Sequence, residues 1–395
     1  MSERHDVVIV GAGPAGSTLA LRLARAGRRV LLIDGARFPR GKVCGEGIMP
    51  AGVETLRELG LHTALAEHAH PFRGIRYRLP DGTRAEAEFP GGAQGWGIDR
   101  AVLDERLVAA ARREPGVALQ LGTWVRTIER TPDGVRVRLD DREVEAALVV
   151  GADGGRSQVR RQAGLDLPLP RRPRFGVGAH FRAPRGADDG PLVEVFVAPG
   201  LELYTTPVAP DVTCVALLVD RQGLEPLRGD LSGALRALLR QAGGRCGRLA
   251  GGELLGPVRA LGPLALGARA AHAERLLLVG DAAGALDPIT GEGLTLALTT
   301  NRIAAEVIDQ ALERGDCSAR ALARWTKERG RKARPLHGLT QVVLRMAARP
   351  ARAARVIRSL AGAPDTFGRL LGVAAGMAPL SSLTFRDGLR VLVGV

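Results

Sequence analysis

Val7-Val8-Ile9-Val10-Gly11-Ala12-Gly13-Pro14-Ala15-Gly16 decides the fold. The β-branched run from Val7 to Val10 has no polar alternation and specifies a buried parallel strand. Gly11 permits a tight turn, Gly13 lets backbone approach a pyrophosphate, and Gly16 lets the next helix, expected from Pro14 to Ala26, pack close to the sheet. That helix offers free N–H groups and a positive dipole end to phosphates. Gly27 stops it, and Arg29 to Ile33 makes a second strand. Asp34, 18 residues past Gly16, stands where an acid accepts hydrogen bonds from a ribose. Strand, helix and acid together specify a dinucleotide site, and an acid at 34 disfavours a 2′-phosphate. FAD or NAD therefore suits this site better than NADP.

Two later segments repeat the pattern of a buried strand ending in glycine and aspartate. They are Leu148-Val149-Val150-Gly151-Ala152-Asp153-Gly154-Gly155-Arg156-Ser157 and Leu276 to Gly284, which continues through Asp287-Pro288-Ile289-Thr290-Gly291-Glu292-Gly293. α/β sheets bind ligands at the carboxyl ends of their strands. Asp281 can hold a ribityl or ribose hydroxyl, and Gly291 and Gly293 let backbone N–H groups approach a flavin. The helix from about Leu294 then turns its positive end to the ring. Either Asp motif alone has turn chemistry as a lesser alternative reading; with the first motif, in this order, they read as walls of one FAD site.

At 395 residues the chain is long enough for one or two domains with a sizeable core. Hydrophobic content of 45% and charged content of 25% are those of a soluble globular protein. Met1 to Asp6 leads directly into the first strand, leaving no room for a signal peptide, and no apolar run reaches the ~18 residues that span a bilayer. Cys44, Cys214, Cys246 and Cys317 lack metal-ligand spacing and secretory context, so no metal is expected and a cytoplasmic enzyme with reduced thiols is. The net charge of +14 comes almost wholly from arginine, lysine occurring only at 42, 327 and 332. It is spread through the chain without interleaved aromatics, which excludes a nucleic-acid reading. One stretch, Arg329 to Arg358, is rich in arginine, contains no acid and carries Leu336, Leu339, Val342, Val343 and Met346. It is a candidate for resting on an anionic membrane surface, against the plainer reading of a solvated helix face. Pro335 and Pro350 are expected to break it into shorter helices.

The ordered motifs Gly11 to Gly16, Gly151-Ala152-Asp153-Gly154 through Arg160, and Gly280-Asp281 resemble the FAD-dependent aromatic hydroxylase superfamily, over roughly residues 5 to 310. Lys42-Val43-Cys44-Gly45-Glu46-Gly47 and Asp287 to Gly293 are most similar to its geranylgeranyl reductase-like branch. The resemblance implies an α/β fold: a Rossmann-like FAD-binding domain of the glutathione reductase type, an inserted, mostly antiparallel β-sheet substrate domain, and a helical C-terminal region. The expected boundaries are 1–70, 97–172 and 268–310 for the first, 71–96 and 173–267 for the second, and 311–395 for the third.

By position, the resemblance implies that Gly11, Gly13, Pro14, Ala15 and Gly16 hold the FAD pyrophosphate and Asp34 the adenosine ribose. Arg100 contacts the phosphates, Val125 touches adenine through its backbone, and Asp153 with Gly154 lies near the pyrophosphate and the NAD(P)H approach. Asp281 binds the ribityl chain, while Lys42, Gly291 and Gly293 complete the cofactor site. Trp96, Trp124 and Trp325 stand alone, so the paired tryptophans of related halogenases are missing. Leu203-Tyr204-Thr205-Thr206-Pro207 departs from the reductases' Tyr/Trp-rich strand. On that ground the favoured expectation is an NAD(P)H-dependent monooxygenase. It would act through a flavin C4a-hydroperoxide on a lipophilic aromatic, quinone or polyketide-type substrate. The alternative is a prenyl reductase saturating isoprenoid double bonds, and the remote one a non-catalytic flavin-binding protein. Cys44 and Glu46 are the near-flavin candidates for chemistry, Cys44 as proton donor in the reductase case. His180, in the expected substrate sheet, is a candidate base whose plainer reading is structural. The oligomeric state is left open.

Overall fold

A computed structural model describes residues 4–393; Met1 to Glu3, Gly394 and Val395, counted in the expected domains, lie outside the described residues. The Val7–Val10 run lies in the strand Arg4–Val10, at the centre of an eight-stranded sheet. It pairs in parallel with Val30–Asp34 on one side and with Glu143–Gly151 on the other. Val117–Leu121 extends the sheet beyond Val30–Asp34, and Leu276–Leu278 extends it beyond Glu143–Gly151, both in parallel. The strands Thr127–Thr131 and Gly134–Arg138 form a hairpin on the outer half of Glu143–Gly151. The three motifs thus end neighbouring strands, which brings Gly11, Asp153 and Gly280 to one edge.

The helix Pro14–Arg25 has proline at its start, where the missing N–H costs no bond. It packs against Gly293–Glu313. Asn301 fixes that contact, its Nδ2 donating to Ala15 O at 2.6 Å and to Thr18 Oγ1 at 2.8 Å.

A second, seven-stranded sheet runs in the order Glu253–Leu261, Phe175–Arg182, Val212–Val219, Leu201–Pro207, Leu192–Ala198, Gly74–Arg78, Arg84–Glu88. Its pairs are antiparallel except for Leu192–Ala198 with Gly74–Arg78. Strand alternation sorts the side chains. Val177, Phe181, Leu203, Val215 and Leu217 pack under the helices Leu231–Ala242 and Gly244–Gly251, with Leu235, Leu239 and Leu249. The opposite face carries the cross-strand rows Gly178, Ala216, Tyr204, Val195, Tyr77 and His180, Cys214, Thr206. The loop of residues 41–46 lies on this face: a Cβ on Gly176 or Gly178 would stand 3.5 and 3.4 Å from Val43.

Beyond Gly293 the chain is helical, with Ala319–Ala347, Pro350–Ala361, Pro364–Ala374 and Phe385–Val393 after the first long helix. Pro350 opens a helix as expected, but Pro335 does not break one: Ala319–Ala347 runs through it. Proline inside a helix costs about 3 kcal/mol, and anchors on both sides oppose the break. Before it, the fully buried Trp325 donates Nε1–H to Leu278 O at 2.8 Å, and Arg329 Nη2 donates to Gly284 O at 2.7 Å. After it, Thr340 Oγ1 lies 3.2 Å from Thr290 Oγ1. Arg329, part of the basic stretch, is therefore turned inward onto the third motif. No helix among the described residues is long and apolar enough to cross a membrane.

Candidate active site

The first motif uses its glycines in two ways. A Cβ on Gly11 would stand 2.4 Å from Ala152 O, and one on Gly16 1.8 Å from Gly11 O, so both are required by close packing of the turn on the second motif. Gly13 instead has room for a Cβ, which would make an ordinary contact with Arg40 Nη2 at 3.5 Å. Pro14, Ala15 and Gly16 form the first turn of the helix, whose N–H groups have no carbonyl partner within it. Asp34 accepts from Ala12 N and Ala36 N, both at 2.8 Å, which fixes the turn against the second strand. Val125 is buried in the same core.

A ladder of charge leads away from this turn. Arg40 Nη2 lies 3.8 Å from Asp34 Oδ2 and 3.6 Å from Asp104 Oδ2. Asp104 is fully buried and takes two hydrogen bonds from Arg100, at 2.8 and 2.9 Å. Arg100, expected at the phosphates, is thus clasped by Asp104, while Arg40 is the cation beside Gly13. Burial opposes the Arg100 charge, but Asp104 and the adjacent Cys44 together outweigh it and hold the guanidinium charged.

The second and third motifs are tied together by Arg160. Its guanidinium donates to Gly155 O at 2.6 Å, Ala282 O at 3.1 Å and Asp166 Oδ1 at 2.6 Å. Asp153 accepts from Gln158 N and Val159 N through one oxygen, while the other is buried with no partner. Burial raises its pKa, the hydrogen bonds offsetting only part of that. Lys42 Nζ reaches to 3.6 Å from a Cβ position on Gly154. Gly291 has φ +71°, a left-handed turn that leads into Gly293–Glu313, and a Cβ on Gly293 would stand 3.9 Å from Asp281 Oδ1. Met49 N donates to Thr295 Oγ1 at 3.0 Å. The segment from Lys42 to Met49 therefore crosses from the second motif to the third.

Between those ends sits the cluster that holds both candidate catalytic residues. Glu46 is buried with φ +59°, a conformation that costs a residue with a Cβ about 1–2 kcal/mol. Its main chain is held by Ile98 N donating to its carbonyl at 3.1 Å. Its side chain accepts from Arg100 N at 3.0 Å and meets His180 Nε2 at 2.6 Å. The Cys44 thiol accepts from Glu46 N at 3.3 Å, and Cys214 Sγ donates to Cys44 O at 3.4 Å. Burial lowers the His180 pKa, but the bond to Glu46 and the charges of Glu46 and Asp99 raise it further, so the net shift is upward. Glu46, His180 and Cys214 offer donor atoms within 4.8 Å of one another. The direct Glu46–His180 hydrogen bond makes the cluster a proton-sharing network.

The third motif also buries groups that nothing in the sequence separates from turn residues. Asp287 Oδ1 accepts from Arg174 Nη1 at 3.0 Å, and Arg174 also bonds Glu202, whose pKa burial pushes up to about 7 against that pairing. Tyr204 donates its hydroxyl to Ile289 O at 2.7 Å. Glu292 is buried with neither carboxylate oxygen partnered, and burial alone pushes it up to about 8.

The arrangement fits FAD: an uncrowded Gly13 at a helix start, a cation beside it, a buried and unpartnered Asp153 oxygen after the neighbouring strand, and the start of a 21-residue helix at the far side. Arg40, Asp104 and Glu292 are the members that sequence reading missed. Arg40 lies two residues before the Lys42–Gly47 segment, and Asp104 stands at i+4 from Arg100, the one readable signal of the three.

Comparison with known proteins agrees. The model of a family described as FAD binding domain matches residues 4–196. A menaquinone reductase of Mycolicibacterium smegmatis is 32% identical, covering 78% of this chain and 77% of its own. A digeranylgeranylglycerophospholipid reductase of Methanopyrus kandleri is 32% identical, covering 81% and 84%. The structure of a flavoprotein/dehydrogenase from Cytophaga hutchinsonii superposes with a TM-score of 0.84 at 23% identity, over 95% of this chain and 93% of that one. The chain is an FAD-dependent oxidoreductase and belongs to the FAD-dependent aromatic hydroxylase superfamily, in its geranylgeranyl reductase-like branch.

Proposed function

We propose that this enzyme saturates an isoprenoid double bond of a lipophilic quinone or lipid, with FAD reduced by NAD(P)H. The observation that carries this reading is the proton-sharing cluster set against a sheet face. Cys44, Glu46 and His180 lie together, Arg100 adjoins the thiol, and the neighbouring sheet face carries Gly178, Ala216 and Val195 in one row with Tyr204 and Tyr77. Relatives at 32% identity over more than three quarters of the chain are reductases of prenylated molecules by name. These two points outweigh the departure at Leu203–Pro207 that favours oxygen insertion in the bare sequence.

Bound and reduced, FAD would supply a hydride for one alkene carbon. The chain's task is the proton for the other carbon. Cys44, with Arg100 adjoining its sulfur, gives it up. His180, kept protonated by Glu46 and Asp99, is the reservoir from which the thiol is restored. The hydride and the proton turn C=C into CH–CH with no oxygen consumed. The test is turnover of a polyprenyl quinone under nitrogen and under isotopically labelled oxygen. Anaerobic product with two added hydrogens supports the reductase; product that requires oxygen and carries the label replaces it with the monooxygenase.

A further inference from the structure

The helix Phe385–Val393 presents an apolar face that nothing in the described fold covers. Phe385 is 82% exposed, Leu389 one turn on is exposed too, and so are Met377 and Leu380 just before the helix. Single exposed apolar side chains need no explanation, but Phe385 and Leu389 share one side of a helix. The helix is not a loose end. Asp387, on its opposite side, is fully buried and accepts from Arg369 Nε at 3.0 Å, Arg369 Nη2 at 2.6 Å, Thr384 N at 2.8 Å and Thr384 Oγ1 at 2.9 Å. This clasp fixes the outward aim of Phe385.

The surroundings are cationic. Phe385–Val393 packs on Pro350–Ala361, whose Arg352 and Arg355 are exposed, and Arg386 and Arg390 lie on the helix itself. Among the described residues none of these four has a carboxylate partner, whereas Arg358 pairs with Asp81 and Arg369 with Asp387. From Arg345 onward the only acids are Asp365 and Asp387, and Asp387 is already engaged.

We propose that this corner seats the protein on an anionic lipid bilayer. Phe385 and Leu389 enter the boundary between headgroups and acyl chains, and Arg352, Arg355, Arg386 and Arg390 meet the phosphates. A second copy of the chain fits the face poorly, because a two-fold contact would set the same unpaired arginines against one another. The proposal is independent of which reaction the FAD site performs. This seat lies mostly beyond the 329–358 stretch, whose first part is turned onto the third motif.

The test is sedimentation of the FAD-loaded full chain with vesicles of phosphatidylcholine alone or mixed with phosphatidylglycerol. Binding is expected only with phosphatidylglycerol and weakens with salt. The double variant Phe385→Ser, Leu389→Ser is expected to bind ~10-fold or more weakly, and Arg386→Gln with Arg390→Gln ~10-fold or more weakly. Flavin content, melting temperature and turnover of a short-chain soluble substrate should stay unchanged in both. Wild-type protein that ignores anionic vesicles, or variants that bind them equally well, would overturn the proposal. So would a wild-type dimer in velocity sedimentation that the Phe385 and Leu389 variant converts to monomer.

Discussion

His180 Nε2 stands 2.6 Å from Glu46 Oε2, across the boundary between the seven-stranded sheet and the loop that leads from the first motif. Neither residue reaches this pairing through local sequence, since 134 positions separate them. Glu46 holds a strained backbone at φ +59° to make it, and the His180 pKa is raised above its ordinary value as a result.

Glu46→Gln removes the charge that raises His180 while keeping the shape. The alkaline limb of the rate profile is expected to move down by ~1 pH unit. Bound FAD should be unchanged. The same coupling gives stability that is present below pH 6.5 and is lost as pH rises through the raised His180 pKa. Thermal melts of wild type and Glu46→Gln from acid to mildly alkaline pH check this: the difference between them narrows as pH rises.

Cys44→Ala is expected to lower turnover by ~10²-fold or more, the usual range for losing a positioned proton donor, with flavin reduction by NAD(P)H unaffected. Stopped-flow spectra separate the two half-reactions. A variant slowed in flavin reduction and unaltered in reoxidation by substrate would show that Cys44 is not the proton donor.

The fold was legible because its signals are local. The Val7–Val10 run, the glycines after it and Asp34 at the next strand end each act through backbone geometry that a single segment determines. The cofactor edge was legible for the same reason, three times over. The candidate cluster was only half legible: Cys44 and Glu46 stand out in one loop, but His180 joins them through sheet register, which no local pattern fixes. Arg40 and Glu292 were invisible as site residues because their importance lies in what surrounds them. Arg40 lies between two acids from separate elements, and Glu292 has lost every partner through burial. Pro335 misled because helix-breaking is a local cost, and distant anchors at Trp325 and Thr340 override it.

Arg40→Met deletes the cation beside Gly13 and leaves Asp34 and the buried Asp104 with less charge compensation. FAD affinity is expected to fall ~10–100-fold, measured by flavin retention on dilution. Unchanged retention would show that the pyrophosphate is held by backbone alone.

Glu292 keeps its proton to about pH 8 when folded, far above its ordinary value of 4.5, because burial disfavours the charge. The unfolded chain releases that proton earlier, so stability falls as pH rises between those values. Glu292→Gln removes the dependence without changing the shape. In the apoprotein its melting temperature should exceed that of wild type at alkaline pH, with the gap closing towards pH 4.5.

The most direct measurement is a single anaerobic turnover: protein with fully reduced FAD is mixed with a polyprenyl quinone, and flavin oxidation and product mass are followed together. The account predicts one double bond saturated for each flavin oxidised, with no oxygen present, and a reduced flavin that persists when Cys44→Ala replaces wild type. Flavin that stays reduced in the wild type until oxygen is admitted, followed by an oxygenated product, would contradict it.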